Sequence, residues 1–165
     1  MENQETGFKE KEKVYAIATK EGEEIRFSVV EVNGQTRADI RYFAEWGDVR
    51  GLRPTRGGIT IDPTDFAKFI QGTDKLFKTI PGVVKKAKVF KKPEKIFAIP
   101  MKEGEELRFS IVGVGGQPRA DIRYFADCGE AKGFRETRSG LTVDPQHAAK
   151  FLQGTTALIK RFAGK

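Results

Sequence analysis

Apolar and polar residues alternate with a period of two through Ile25, Phe27 and Val29, whose neighbours Arg26, Ser28 and Val30 take the other side of an extended segment. A strand is predicted there, preceded by a weaker alternation over 14–19. Asn33-Gly34 comes next, a pair that accepts the positive φ of both central positions of a type I′ turn, so the following run pairs back as a hairpin. In that run Ala38, Ile40 and Tyr42 fall on one face and Arg37, Asp39 and Arg41 on the other, which predicts a charged, wet side. A loop with Gly47, Gly51 and Pro54 leads to a fourth short strand, Gly58-Ile59-Thr60-Ile61. Then the period changes. Asp62 can cap free backbone N–H groups, Pro63 loses nothing at the first helical position, and Asp65 sits in the positive first turn. Phe66, Phe69, Ile70, Leu76 and Phe77 recur at near-helical spacing with Gly72 interrupting, which predicts a bent or broken helix. The unit reads ββββα.

The same pattern returns 82 residues later without a gap over residues 20–77. Gly115-Gly116 takes the place of Asn33-Gly34, Asp144-Pro145 repeats the helix start, and most differences are mild, such as Ile25/Leu107 and Ile61/Val143. A period this long suits two complete small domains or two halves of one pseudo-symmetric unit. A mobile tail over 1–12, a first repeat over 13–79, a basic linker over 80–94 and a second repeat over 95–165 are expected.

Composition narrows the function. Of 165 residues 38% are hydrophobic, enough for a packed core, and 32% are charged. No apolar run reaches the roughly 18 residues of a membrane span, and the first residues alternate charges where a leader would be apolar, so no membrane partner and an intracellular location, in a bacterial cytoplasm or nucleoid or a eukaryotic nucleus, are expected. One cysteine, Cys128, and one histidine, His147, supply neither a disulfide nor a structural zinc site. The net charge is +7, and almost all of it lies in 78–95, where Lys78, Lys85, Lys86, Lys88, Lys91, Lys92 and Lys95 face Glu94 alone. That segment reads as a solvated tether or as a basic arm added to a binding groove.

Catalysis has little to stand on: Cys128 aligns with Trp46, His147 with Asp65, and the carboxylate pairs Glu23-Glu24 and Glu105-Glu106 read as solvated strand starts. No cofactor and no enzymatic activity are expected. Binding has more. Arg26, Arg37, Arg41, Arg53 and Arg56 recur as Arg108, Arg119, Arg123, Arg135 and Arg138, interleaved with Phe27, Phe43, Trp46, Phe109, Phe125 and Phe134. Guanidinium groups fork onto phosphate and stack on bases, and aromatic rings stack on unpaired bases. Phe27 and Phe109 share the core-facing side, and Arg41 and Arg123 each follow an aspartate two residues earlier on one face, so core packing and ion pairing compete with the binding reading.

Ala38-Asp39-Ile40-Arg41-Tyr42-Phe43, the glycine-containing loop, Pro54, Arg56, Gly58-Ile59-Thr60-Ile61 and the Pro63 helix with Phe66 resemble the single-stranded-DNA-binding domain of the transcriptional coactivator family called positive cofactor four. Ala120-Asp121-Ile122-Arg123-Tyr124-Phe125 and Gly140-Leu141-Thr142-Val143-Asp144-Pro145 resemble it again. The resemblance implies an α+β fold in which curved antiparallel four-stranded sheets, each followed by a kinked helix, pair about a two-fold axis, here as an intramolecular pseudo-dimer whose grooves hold two antiparallel single strands. It places a DNA-contacting arginine at Arg41 and Arg123, further basic positions at Arg53, Arg56, Arg135 and Arg138, and the basic start of the second strand at Arg26 and Arg108. The family's basic, aromatic turn between strands two and three is replaced here by Val32-Asn33-Gly34-Gln35 and Val114-Gly115-Gly116-Gln117, and Ala44 and Ala126 stand where it has an aromatic. Binding then leans on Arg37, Arg119, Trp46 and the linker lysines. The expected function is non-enzymatic binding of single-stranded DNA in transcription, replication or repair. RNA, melted duplex DNA and transcription or replication proteins are the further candidate partners, and a protein-interaction module on the same fold is the alternative. On this reading Arg41→Ala with Arg123→Ala lowers affinity without unfolding the chain.

Overall fold

The twofold repeat of the sequence becomes a twofold repeat of elements in the computed structural model, which describes residues 8–47, 49–85, 93–102, 104–129 and 131–163. Strands β1 (Phe8–Lys20), β2 (Glu23–Val32), β3 (Gln35–Trp46) and β4 (Val49–Ile61) precede a single 3-10 turn, Pro63–Asp65, and helix α1 (Phe66–Lys85). Strands β5 (Glu94–Pro100), β6 (Glu105–Val114), β7 (Gln117–Asp127) and β8 (Phe134–Val143) precede the turn Pro145–His147 and helix α2 (Ala148–Ala163). Each set of four strands forms one antiparallel sheet in chain order, so the fold is α+β with two ββββα units. The β2–β3 turn has the expected handedness, with φ of 51° at Asn33 and 83° at Gly34. Asp62 and Asp144 cap as the sequence implies, each accepting the backbone N–H two residues on.

Three boundaries move. β1 starts at Phe8, inside the expected tail, because the charged run Phe8-Lys9-Glu10-Lys11-Glu12 is held by a ladder to β2 and by Lys11–Glu31 at 3.7 Å; its register shifts hide the alternation. β4 starts at Val49, so Pro54 lies within a strand opposite Phe43; β4 is a sheet edge, where a missing N–H is tolerated. α1 runs unbroken through Gly72 and past Pro81 to Lys85, into the expected linker, while 86–92 of that linker lie outside the described residues.

Gly72 serves close approach rather than interruption. A Cβ there would come within 2.7 Å of Phe97 and 2.8 Å of Phe109, and one at Gly154 within 2.7 Å of Tyr15 and 2.8 Å of Phe27. These contacts show how the units are joined: α1 of the first repeat lies on the second sheet, and α2 of the second lies on the first. Phe151 meets Phe27 edge-on with centroids 5.2 Å apart, Phe69 meets Phe109 at 5.6 Å, and Phe66 meets Phe162 across the helices at 4.9 Å. Phe27, Phe69, Phe109 and Phe151 are fully buried in one continuous core, each worth roughly 1.5–3 kcal/mol of burial. Of the two organisations the period allows, the chain adopts the pseudo-symmetric one.

Tyrosines stitch the units a second time. The Tyr42 hydroxyl donates to the carbonyl of Thr142 at 2.6 Å, and that of Tyr124 to the carbonyl of Thr60 at 2.7 Å. Burial first, then the charges of Glu23 and Asp144, pushes Tyr42 up to about 12; burial, then Glu105, raises Tyr124 further. The unfolded chain loses these protons near pH 10 while the folded chain keeps them, so the stabilisation is whole below that pH and is lost as pH rises through the raised values. The melting temperature is expected to fall above about pH 10. In Tyr42→Phe with Tyr124→Phe the alkaline fall flattens; an identical fall in the double variant would place its origin elsewhere.

Candidate nucleic-acid interface

One cross-strand row organises the helix-free face of each sheet: Ala16, Arg26, Arg41 and Gly58 are successive Cα partners, as are Ala98, Arg108, Arg123 and Gly140. The glycine at the end of each row makes room for an arginine lying flat. A Cβ on Gly58 would sit 2.7 Å from Arg41 Cβ and Cγ, and one on Gly140 2.6 Å from Arg123 Cγ. Thus extended, Arg41 donates from Nε and Nη2 to both carboxylate oxygens of Asp39, at 3.1 and 3.0 Å, and from Nη1 to the Thr55 carbonyl at 3.1 Å. Thr60 Oγ1 donates to the same carboxylate at 2.9 Å. Arg123, Asp121, Thr137 and Thr142 repeat the network. The face expected to be wet is therefore a closed polar layer: the Asp39 and Arg41 side chains are only 3% and 17% exposed. The competing ion-pair reading describes these arginines, although two of the five N–H groups on each make none of these bonds.

The carbonyl that Arg41 holds belongs to a bulge. Between the pairs Phe43–Pro54 and Arg41–Gly58, three residues of β4, Thr55, Arg56 and Gly57, oppose the single residue Tyr42. Thr55 Oγ1 donates to the stranded Tyr42 carbonyl at 2.9 Å and accepts from Gly57 N–H at 3.1 Å. Thr137 does the same for Tyr124 and Ser139. Arg56 and Arg138, the middle residues of the bulges, are exposed. Sequence reading missed these threonines and the crossing tyrosines; the available signal was their recurrence at the same offset beside the arginines.

The remaining arginines divide. Arg26 pairs with Glu24 at 2.8 Å and Glu10 at 3.7 Å, its guanidinium 3.9 Å from the centroid of Phe43. Arg108 pairs with Glu106 and lies 4.1 Å from the Phe125 centroid. Arg37 binds Asp62 and Gln35, and Arg119 binds the Pro118 carbonyl at 3.2 Å and Asp144 at 3.5 Å. Asp62 is held below the usual carboxylate range, first by the Thr64 backbone N–H. Among the described residues the side chains of Arg53, Arg56, Arg135 and Arg138 form no ion pair or hydrogen bond, and all four are exposed. Arg53 and Arg135 oppose Ala44 and Ala126, one position along from Phe43 and Phe125, so they flank the sheets on the face opposite Arg41 and Arg123. Trp46 ends β3 opposite Val49, and its side chain lies outside what is described. Phe27 and Phe109 are core, Phe43 is buried beneath Arg26, Phe125 is half-buried, and Phe134 is exposed.

Two clefts form where the units meet. One of about 290 Å³ is lined by Glu23, Tyr42, Arg119, Asp144 and His147, and one of about 270 Å³ by Arg41, Gly58, Glu105, Tyr124 and Thr137. Carboxylates in the first oppose a phosphate there. No cluster of metal-ligating side chains occurs among the described residues, and Cys128 is an exposed free thiol. No described helix is long and apolar enough to cross a membrane. No family model matches the chain, and no curated protein matches it.

Proposed function

We propose that the protein binds single-stranded nucleic acid, DNA in preference, and holds separated strands in transcription, replication or repair without catalysis, in the manner of the positive cofactor four family that its strands resemble. The observation that carries this reading is the set of four exposed arginines free of ion pairs among the described residues, Arg53, Arg56, Arg135 and Arg138, set in equivalent places on the two sheets. Two sit on bulges locked by Thr55 and Thr137, so the guanidinium groups spring from rigid backbone. Rigid presentation lowers the ordering cost of gripping a phosphate chain.

The test is fluorescence anisotropy of labelled single-stranded DNA, duplex DNA and single-stranded RNA at two salt concentrations. Single-stranded DNA is expected to bind tightest, and replacing the four arginines by alanine to reduce the salt slope by about 2–3, at roughly 0.7 per phosphate contact on a single strand. No binding at low salt overturns the proposal; tighter RNA binding overturns the DNA preference. The protein-interaction alternative draws on one observation, that Arg26, Arg37, Arg41 and their counterparts are already engaged with groups of their own chain.

A further inference from the structure

The two sheets have diverged at one place, where an exposed ring stands beside Arg108 on the second and an aliphatic side chain takes its position on the first. On the second sheet the Arg108 guanidinium lies 4.1 Å from the Phe125 centroid and 5.7 Å from that of Phe134, and Phe134 is 39% exposed, so a flat cation and an open ring edge the same surface. On the first sheet Leu52 stands at the position of Phe134, and side chains from the start of β1 approach the arginines. Glu10 reaches Arg26 Nη1 at 3.7 Å, and the Phe8 ring, itself 37% exposed, lies 5.7 Å from the Arg41 guanidinium. Burial differs as well: Val30 and Phe43 are buried, whereas their counterparts Val112 and Phe125 are only half-buried. The sequence supports the same asymmetry, because at the 82-residue offset Glu10 corresponds to Lys92 and Lys11 to Pro93. The aligned position of the acid that pairs with Arg26 carries a base, and the residue beside it, which the β1–β2 register skips, has become one without an N–H.

We propose that unpaired nucleobases stack on Phe134 beside Arg108 of the second sheet, while the first sheet has Leu52 at that position and the side chains of Phe8 and Glu10 against its arginines, so that the two repeats bind one strand unequally. This rests on the single-stranded nucleic-acid reading above and assigns its base-contacting surface. A π-face accepts any base, so the contact is tolerant of sequence, and the guanidinium adds a cation to the stack.

The experiment compares full-length Phe134→Ala, Phe134→Tyr and Leu52→Ala by anisotropy with labelled oligothymidylate and with an abasic phosphodiester of the same length, after thermal melts confirm folding. Phe134→Ala is expected to weaken oligothymidylate binding roughly tenfold, within the range for one lost stack, with binding of the abasic chain unchanged. Phe134→Tyr restores the affinity, and Leu52→Ala leaves it as it was. Wild-type binding that Phe134→Ala does not weaken, or weakens equally for the abasic chain, overturns the stacking site while leaving the nucleic-acid function standing. A loss in Leu52→Ala equal to that in Phe134→Ala overturns the asymmetry. A wild-type chain that binds neither probe removes the function and the site together.

Discussion

Arg41→Ala is expected to lower unfolding stability by about 3 kcal/mol, the lower end of the cost of leaving a buried carboxylate without its partner. Asp39 is 3% exposed and takes two of its hydrogen bonds from this one guanidinium, so deletion strands a charge that water reaches poorly. It also frees the Thr55 carbonyl and with it the bulge that carries Arg56. Thermal or urea unfolding measures the loss, and Asp39→Asn added to Arg41→Ala recovers part of it by removing the stranded charge. Arg123→Ala behaves alike through Asp121 and Thr137. Any fall in nucleic-acid affinity in these variants then includes a slackened Arg56 or Arg138, and affinity per folded molecule is the quantity to compare. A variant as stable as the parent shows that the polar layer contributes nothing net. The same melts test the expectation, drawn from sequence alone, that replacing the pair lowers affinity without unfolding the chain.

The second large effect concerns the shared core. Phe27→Ala removes a ring gripped by Tyr15 of its own sheet and Phe151 of the other repeat, and is expected to cost roughly 3–5 kcal/mol. The loss falls on both repeats at once, because the partner ring belongs to α2: calorimetry is expected to show one transition shifted downward, and two separated transitions would contradict the shared core. By the same logic a fragment of residues 1–85 lacks the helix that covers β1 and β2. Its own α1 suits that role, since Gly72 matches Gly154, and Phe97 and Phe109, which Gly72 approaches, match Tyr15 and Phe27. Sedimentation is expected to find the fragment a dimer; a folded monomer would be incompatible with the crossed packing.

The ββββα order, the hairpin at Asn33-Gly34, the Asp62-Pro63 helix start and the core side of Ile25, Phe27 and Val29 were legible because each depends on local periodicity or a single residue's backbone preference. What was not legible depends on distant partners. Gly72 reads as a helix breaker until Phe97 and Phe109 are seen against it, and Asp39 and Arg41 read as a wet face until Gly58 lets the guanidinium lie down. The strand Phe8–Lys20 was half hidden because the exposed charges at its start read as a solvated tail until their pairs with a neighbouring strand are seen. For the candidate interface, the sequence supplied the ten arginines, but only geometry separates six that are tied to their own chain from four that, among the described residues, are not.

The crossing of the helices also orders events during synthesis. The first sheet is complete once Ile61 has emerged, yet the surface that carries Ile25 and Phe27 must wait for residues 148–163, more than eighty positions later, to be covered. At roughly 5–20 residues per second that interval lasts about 5–20 s, during which an apolar sheet face is held open on the ribosome. The surface waiting for α2 is then the part of the nascent chain that a chaperone has most reason to shield.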